Sequence, residues 1–252
     1  MHESTLSQAA AFALAPALAL GSFLNVVVVR VPARRSLLSP PSSCATCATE
    51  LLWRDNIPVL SWALLRGRCR HCEGRISIYY PAVETVTALL VVTSVAVLGP
   101  TPEGLFAACF CAVLVTLSAI NMRHRIVPTR IVVPAAVGAV AVHTAIDPSL
   151  AWLGWSLVAA AALFLVVLAH PNGLGIGAVQ VALLLGAVLG STVTVALVIG
   201  LCAALVPSAV LVSRRGASVR KLSVPLVPFL SLGGVIALFV GSAIFDACRG
   251  LL

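Results

Sequence analysis

Charge is what this sequence has least of. Of its 252 residues, 16 are Lys or Arg and 8 are Asp or Glu, so only 10% are charged. A water-soluble domain keeps about a quarter of its residues charged to wet its surface. Here 60% of residues are hydrophobic and the mean hydropathy is +1.10, which excludes a soluble globular domain. Most of the surface must therefore face lipid. Residues 1–8 carry no basic stretch, and the apolar run Ala9–Val29 is too long for a signal-peptide core. A cleaved signal is thus not expected, and the run reads as a retained first span. No H-E-x-x-H occurs, so a metalloprotease helix of that kind is excluded.

The few charges that are present are unevenly placed. Basic residues fall in blocks: eight in 30–75, three in 123–130, four in 214–221, and Arg249. Blocks between apolar runs follow the positive-inside pattern of a membrane protein, and they argue against a nucleic-acid partner despite the net charge of +8. Apolar runs near 9–29, 81–98, 104–121, 131–146, 150–169, 175–190, 192–213 and 226–247 predict about eight transmembrane helices. The cut at Gly190-Ser191 is the least marked of the boundaries. The predicted fold is an all-α polytopic membrane protein. Its parts are a first helix over 1–29, a soluble segment over 30–80, and a helical bundle over 81–252. With eight spans, the loops 30–80, 122–130, 170–174 and 214–225 share one side and hold fifteen of the sixteen basic residues. That side is predicted to be cytoplasmic.

About fifty soluble residues cannot build a large core, so segment 30–80 needs a staple. Cys44-Ala-Thr-Cys47 and Cys69-Arg-His-Cys72 supply one, as two C-x2-C knuckles separated by twenty-one residues. Four such thiolates suit a structural Zn²⁺ with no vacant coordination position, giving a zinc-ribbon-like loop. A disulfide framework competes, but a cytoplasmic loop keeps its thiols reduced. Cys109, Cys111, Cys202 and Cys248 lie in or beside spans and read as small core- or lipid-facing residues. His124, His143 and His170 sit at span ends and read as interfacial. Gly173-Leu174-Gly175-Ile176-Gly177 lacks the strand that a nucleotide-binding loop requires, so its glycines read as points of close helix approach. Few ionisable residues lie inside spans, which disfavours a transporter or channel.

Longer motifs carry a resemblance. Gly21–Pro32 (GSFLNVVVVRVP), Asp55–Cys72 (DNIPVLSWALLRGRCRHC), Tyr80–Leu90 (YPAVETVTALL) and Pro228–Gly241 (PFLSLGGVIALFVG) make the chain resemble the bacterial type IV prepilin peptidases over almost its whole length. The resemblance implies an enzyme of the inner membrane that cleaves the basic leader of type IV prepilins or type II secretion pseudopilins. It also implies N-methylation of the new terminus with S-adenosylmethionine, and an aspartic dyad. One Asp of that dyad belongs to I-D-x-x-x-x-x-x-P-D and the other to G-x-G-D-x-K.

This chain departs at both places. Ile120–Thr129 reads INMRHRIVPT, which puts Asn121 at the first Asp position and Thr129 after the proline. Gly175-Ile176-Gly177-Ala178-Val179-Gln180 puts Ala178 at the second Asp position and Gln180 at the Lys. A paired-carboxylate mechanism needs one base and one protonated acid. Neither an amide nor a methyl group titrates, so the expected peptidase activity is absent. Thr129 and Gln180 exceed what inactivation requires, which favours decay of the acidic site over deliberate change. The remaining expectations are a surviving prepilin N-methyltransferase or a non-catalytic prepilin-binding assembly factor. Glu84, an acid early in the second span, reads either as a buried partner of an Arg or backbone group or as a contributor to methyl-donor binding.

Overall fold

The computed structural model describes residues 2–169, 175–215 and 225–249. His170, Gly173, Leu174, Arg220 and Lys221 lie outside the described residues, as does the side chain of Cys248. Within them the chain is helical, and its only extended pairings are two isolated bridges. Helix α1 (His2–Arg30) leads into a largely irregular segment that holds a 3-10 turn, Trp53–Asn56, and the short α2 (Leu60–Leu64). Then follow α3 (Tyr79–Leu98), α4 (Pro102–His124), α5 (Thr129–Ile146), α6 (Ala151–Ala169), α7 (Ile176–Leu189), α8 (Val193–Arg215) and α9 (Val227–Arg249).

Among the described residues, eight of the nine helices are apolar and run from 14 to 29 residues, matching the expected number. Seven apolar stretches qualify as separate spans, because α7 and α8 share one 35-residue stretch, Ile176–Val210. As a single helix it would extend about 52 Å, against a hydrocarbon core of about 30 Å. Gly190 interrupts it. Its φ of +56° lies in the left-handed region and ends α7, and the 3-10 turn Gly190–Thr192 starts α8. A side chain there would also meet the ring of Trp152 at 2.9 Å. Glycine satisfies both demands.

The chain forms two compact units, Met1–Ala119 and Ile120–Leu252. In the first, α1 packs along α3. The approach is close because Gly21 has no side chain: a Cβ there would stand 2.7 Å from the Cα of Glu84. The Tyr79 hydroxyl donates to the carbonyl of Ala119, tying the start of α3 to α4. In the second unit α7 is central, packed against α5, α6 and α9, while α8 pairs with α9. Val181, Ala182, Leu185 and Ala187 of α7 are fully buried. The Ser156 hydroxyl of α6 donates to the Leu183 carbonyl at 2.7 Å. Small residues set which helix faces meet, since apolar attraction alone does not select them in lipid.

Candidate functional site

The four cysteines come together on two knuckles of the same build. In each, the residue four after the first cysteine turns back: Ala48 N–H donates to the Cys44 carbonyl at 2.9 Å, and Glu73 N–H to the Cys69 carbonyl at 3.0 Å. Ala48 and Glu73 both adopt positive φ, 56° and 55°. The bridges Ser43–Glu50 and Arg68–Arg75 close the two turns in the same register. All four sulfurs lie within 4.8 Å of one another, as free thiols. The Cys44 and Cys72 sulfurs are 3.8 Å apart. A tetrahedral zinc ion with arms of about 2.3 Å needs sulfur–sulfur edges of about 3.8 Å, so the donor set fits such an ion. The N–H groups of Cys47 and Thr46 hold the Cys44 thiol down to about 6. At Cys72 the Gly74 N–H pulls the other way, but burial and the neighbouring sulfurs outweigh it and push the thiol up to about 11. Four crowded thiols therefore resist full ionisation by themselves, and a cation among them would remove that resistance.

Beside the second knuckle, Arg70 grips Asp55. Its Nη2 donates to Oδ1 at 2.7 Å, and its Nε contacts Oδ1 and Oδ2 at 3.0 and 3.2 Å. The guanidinium holds the Asp55 carboxyl below the usual carboxylate range. Four residues on, Val59 N–H donates to Oε2 of Glu84 at 2.7 Å. Glu84 is buried in α3, where Asn25 Nδ2 of α1 reaches its Oε1 at 3.3 Å and the Tyr80 carbonyl at 3.1 Å. Glu84 thus partners a backbone group rather than an arginine.

The second unit joins the residues at the two motif segments. Asn121 lies in the last turns of α4 with 8% exposure, and its Oδ1 has no hydrogen-bond partner among the described residues. Thr129 opens α5, and its hydroxyl accepts from Gln180 Nε2 at 3.0 Å. Gly177 lies against Val127, where a Cβ would come within 2.5 Å of the valine methyl. Ala178, in the first turn of α7, is buried. The α4–α5 corner and the start of α7 are therefore docked on each other through Val127, Thr129, Gly177 and Gln180. Asp147 and Asp246, the acids of this unit, stand elsewhere. Asp147 caps the far end of α5, about 27 Å along the helix from Thr129. Asp246 follows Gly241, which adjoins Thr192 beyond the end of α7 opposite Ala178.

Two family profiles divide the chain. Residues 16–98 match the bacterial peptidase A24 N-terminal domain, and residues 108–212 match the type IV leader peptidase family. A prepilin leader peptidase/N-methyltransferase of Burkholderia pseudomallei (strain 1026b) is 31% identical over 274 residues, covering 93% of this chain and 86% of that protein. This chain belongs to the type IV leader peptidase family. A similarly named protein of Bacillus subtilis (strain 168) is 32% identical over 234 residues, covering 91% of this chain and 93% of its own. One of Myxococcus xanthus (strain DK1622) is 42% identical over 132 residues, and there the chain spans only 39% of the relative. No solved structure matches.

The matched regions of the leader peptidase family take in every site residue named above. The cysteines and Glu84 fall in the first, and Asn121, Thr129, Gly175, Gly177, Ala178 and Gln180 in the second. Asn25, Asp55, Val59 and Arg70 lie inside or beside the motifs that carried the resemblance, yet no pattern singled them out. A buried carboxylate at a helix start was the available signal for Asn25 and Val59, since it must find donors. His124 is exposed, and His143 stacks on Trp152 with ring centroids 3.8 Å apart. Cys111 is buried, and Cys109 and Cys202 are exposed.

Proposed function

We propose that this chain is a peptidase-silent member of its family that keeps the scaffold for engaging prepilin or pseudopilin leaders in the inner membrane. Asn121 and Ala178 would stand where relatives carry the catalytic aspartates. The observation that carries the reading is the setting of these two positions. Both are buried beside docked motif segments, and the acids of that unit lie at its other end. A general base must accept water's proton and a general acid must return one to the leaving amine. Asn121 can do neither, and Ala178 has no polar side-chain atom. With Thr at 129 and Gln at 180, that pair is uncharged yet hydrogen-bonded at 3.0 Å, which supports retention for binding rather than collapse.

A second reading is prepilin N-methylation, since the relatives are named leader peptidase/N-methyltransferase, with S-adenosylmethionine as the methyl donor that such an activity would use. The tight packing of Gly21 on α3 and the four gathered cysteines favour it, because that half of the chain shows none of the substitutions found at the dyad. The cysteine loop and the segment around 214–225 would face the cytoplasm, by the distribution of Arg and Lys. Reporter fusions at Ser43 and Ala217 on opposite sides would refute that topology.

The functional test uses purified full-length chain and a prepilin with a basic leader. Leader removal is followed by gel shift, and methyl transfer by labelled S-adenosylmethionine on a pre-cleaved prepilin. No cleavage with retained prepilin binding is the expected result. Turnover that persists in a host lacking its own leader peptidase overturns the silent reading. Methyl transfer without cleavage selects the second.

A further inference from the structure

Two carboxylates hold the ends of one five-residue segment. At Asp55 the anchor is Arg70, which lies between Cys69 and Cys72, with contacts of 2.7, 3.0 and 3.2 Å. At Val59 the anchor is Glu84 of α3, which accepts the valine N–H at 2.7 Å. Both carboxylates are shielded: the Asp55 side chain is 6% exposed and Glu84 is 8% exposed. Between the anchors, Asn56 and Pro58 wall a cleft of about 260 Å³. The opposite wall is one face of α1, made by Ala19, Ser22, Phe23 and Val26.

The segment is also under tension. Val59 sits at φ +59°, a left-handed conformation that a β-branched residue avoids unless its surroundings impose it. Its carbonyl accepts from Ala63 at 3.0 Å, so the same residue starts α2. Strained backbone persists only where fixed contacts on both sides over-determine it. Here one fixed contact belongs to the membrane helices and the other to the cysteine knuckle.

We propose that Asp55 and Glu84 form a two-point strap that makes the α1 cleft depend on metal occupancy of the four cysteines. Closing the knuckles around an ion fixes the backbone of residues 69–72, and with it the base of Arg70. Arg70 then holds Asp55 in a rigid bidentate grip. Glu84 supplies the counter-anchor from α3. With both ends fixed, Asn56 and Pro58 keep their distance from α1. With the knuckles open, the Arg70 end is released, the strain at Val59 relaxes, and the cleft wall moves. Glu84 is in this account a positioning residue, acting through Val59.

Hydrogen exchange read by mass spectrometry on the full chain in nanodiscs tests this, with zinc bound and after chelation. No catalytic activity enters the readout, so the outcome is independent of the peptidase or methyltransferase reading. In the unaltered chain, chelation speeds exchange across 55–60 by about tenfold or more, together with the knuckles. Arg70→Met keeps all four cysteines and one bound zinc, yet its 55–60 amides exchange fast with or without metal. Asp55→Ala breaks the same link away from the ligands and gives the same result if Arg70→Met fails to insert. Glu84→Ala frees the Val59 amide while zinc content stays at one. The strap is overturned if chelation opens the knuckles but leaves exchange over 55–60 within twofold. It is equally overturned if Asp55→Ala responds to zinc as the unaltered chain does.

Discussion

Gln180 donates its side-chain amide to the hydroxyl of Thr129 at 3.0 Å, joining the first turns of α7 and α5. By resemblance, a Lys and an Asp would occupy these positions. Changing either alone would leave the other's charge without its partner at this corner, whereas the pair as found is neutral and bonded. A double-mutant cycle with Thr129→Val and Gln180→Leu should show a coupling of about 0.5–1 kcal/mol, the range of a neutral hydrogen bond. Thermal denaturation in detergent measures it. Strictly additive losses would mean that the two side chains do not act together.

The cysteine centre should bind one zinc per chain, and Cys69→Ser should abolish it while the spans stay inserted. Elemental analysis and protease sensitivity of residues 40–75 report the two effects. Acid should act through the metal. Protons compete with the metal for thiolates, so zinc leaves first as pH falls. The Asp55 carboxyl is lowered from its ordinary 3.8 by Arg70. A depressed carboxylate contributes stability that is complete above the unfolded value and lost as pH falls through the folded one. The Asp55 carboxylate should therefore stay charged down to the pH at which zinc leaves, and its hold on Arg70 should be lost together with the metal. Asp55→Asn should loosen residues 55–60 already at neutral pH while the pH of zinc release stays unchanged, read by hydrogen exchange and elemental analysis.

Gly21 should tolerate no side chain. A methyl there would press on the Glu84 backbone at 2.7–3.3 Å, and backbone cannot swing aside as a side-chain tip can. Gly21→Ala should cost about 1–3 kcal/mol, typical of overpacking. It should also disturb Asn25 and Glu84, one turn away on α1 and at the contact itself. A denaturation midpoint equal to that of the unaltered chain would show that α1 and α3 part easily.

The all-helical, many-span architecture was legible because lipid demands long apolar runs, and those are visible without any tertiary information. The cysteine cluster was legible because ligand spacing within a knuckle is local. The Gly190 break was half legible: glycine marked a place to cut, but Trp152, which shapes the space there, is remote in sequence. The Asp55–Arg70 and Glu84–Val59 contacts were not legible. They depend on where an irregular segment is laid over the helices, and neither periodicity nor composition encodes that. Glu84 announced that it needed donors without saying which.

Restoring acids in steps should separate the dyad from its surroundings. Asn121→Asp alone should not cleave a prepilin, since a single carboxylate lacks the partner that shares its proton. It should also destabilise the chain: Asn121 is 8% exposed with an unpartnered Oδ1, and a carboxylate there would be buried without a donor. Ala178→Asp alone should be inactive for the same reason. The pair together should recover measurable cleavage, because the α4–α5 corner and the start of α7 already touch at Val127 and Gly177. Adding Thr129→Asp and Gln180→Lys should raise it further by rebuilding the charged pair in place of the neutral bond. Gel-shift rates for the four stages decide it. Equal inactivity in all of them would mean that the corner no longer holds positions 121 and 178 at a distance where two acids can share a proton.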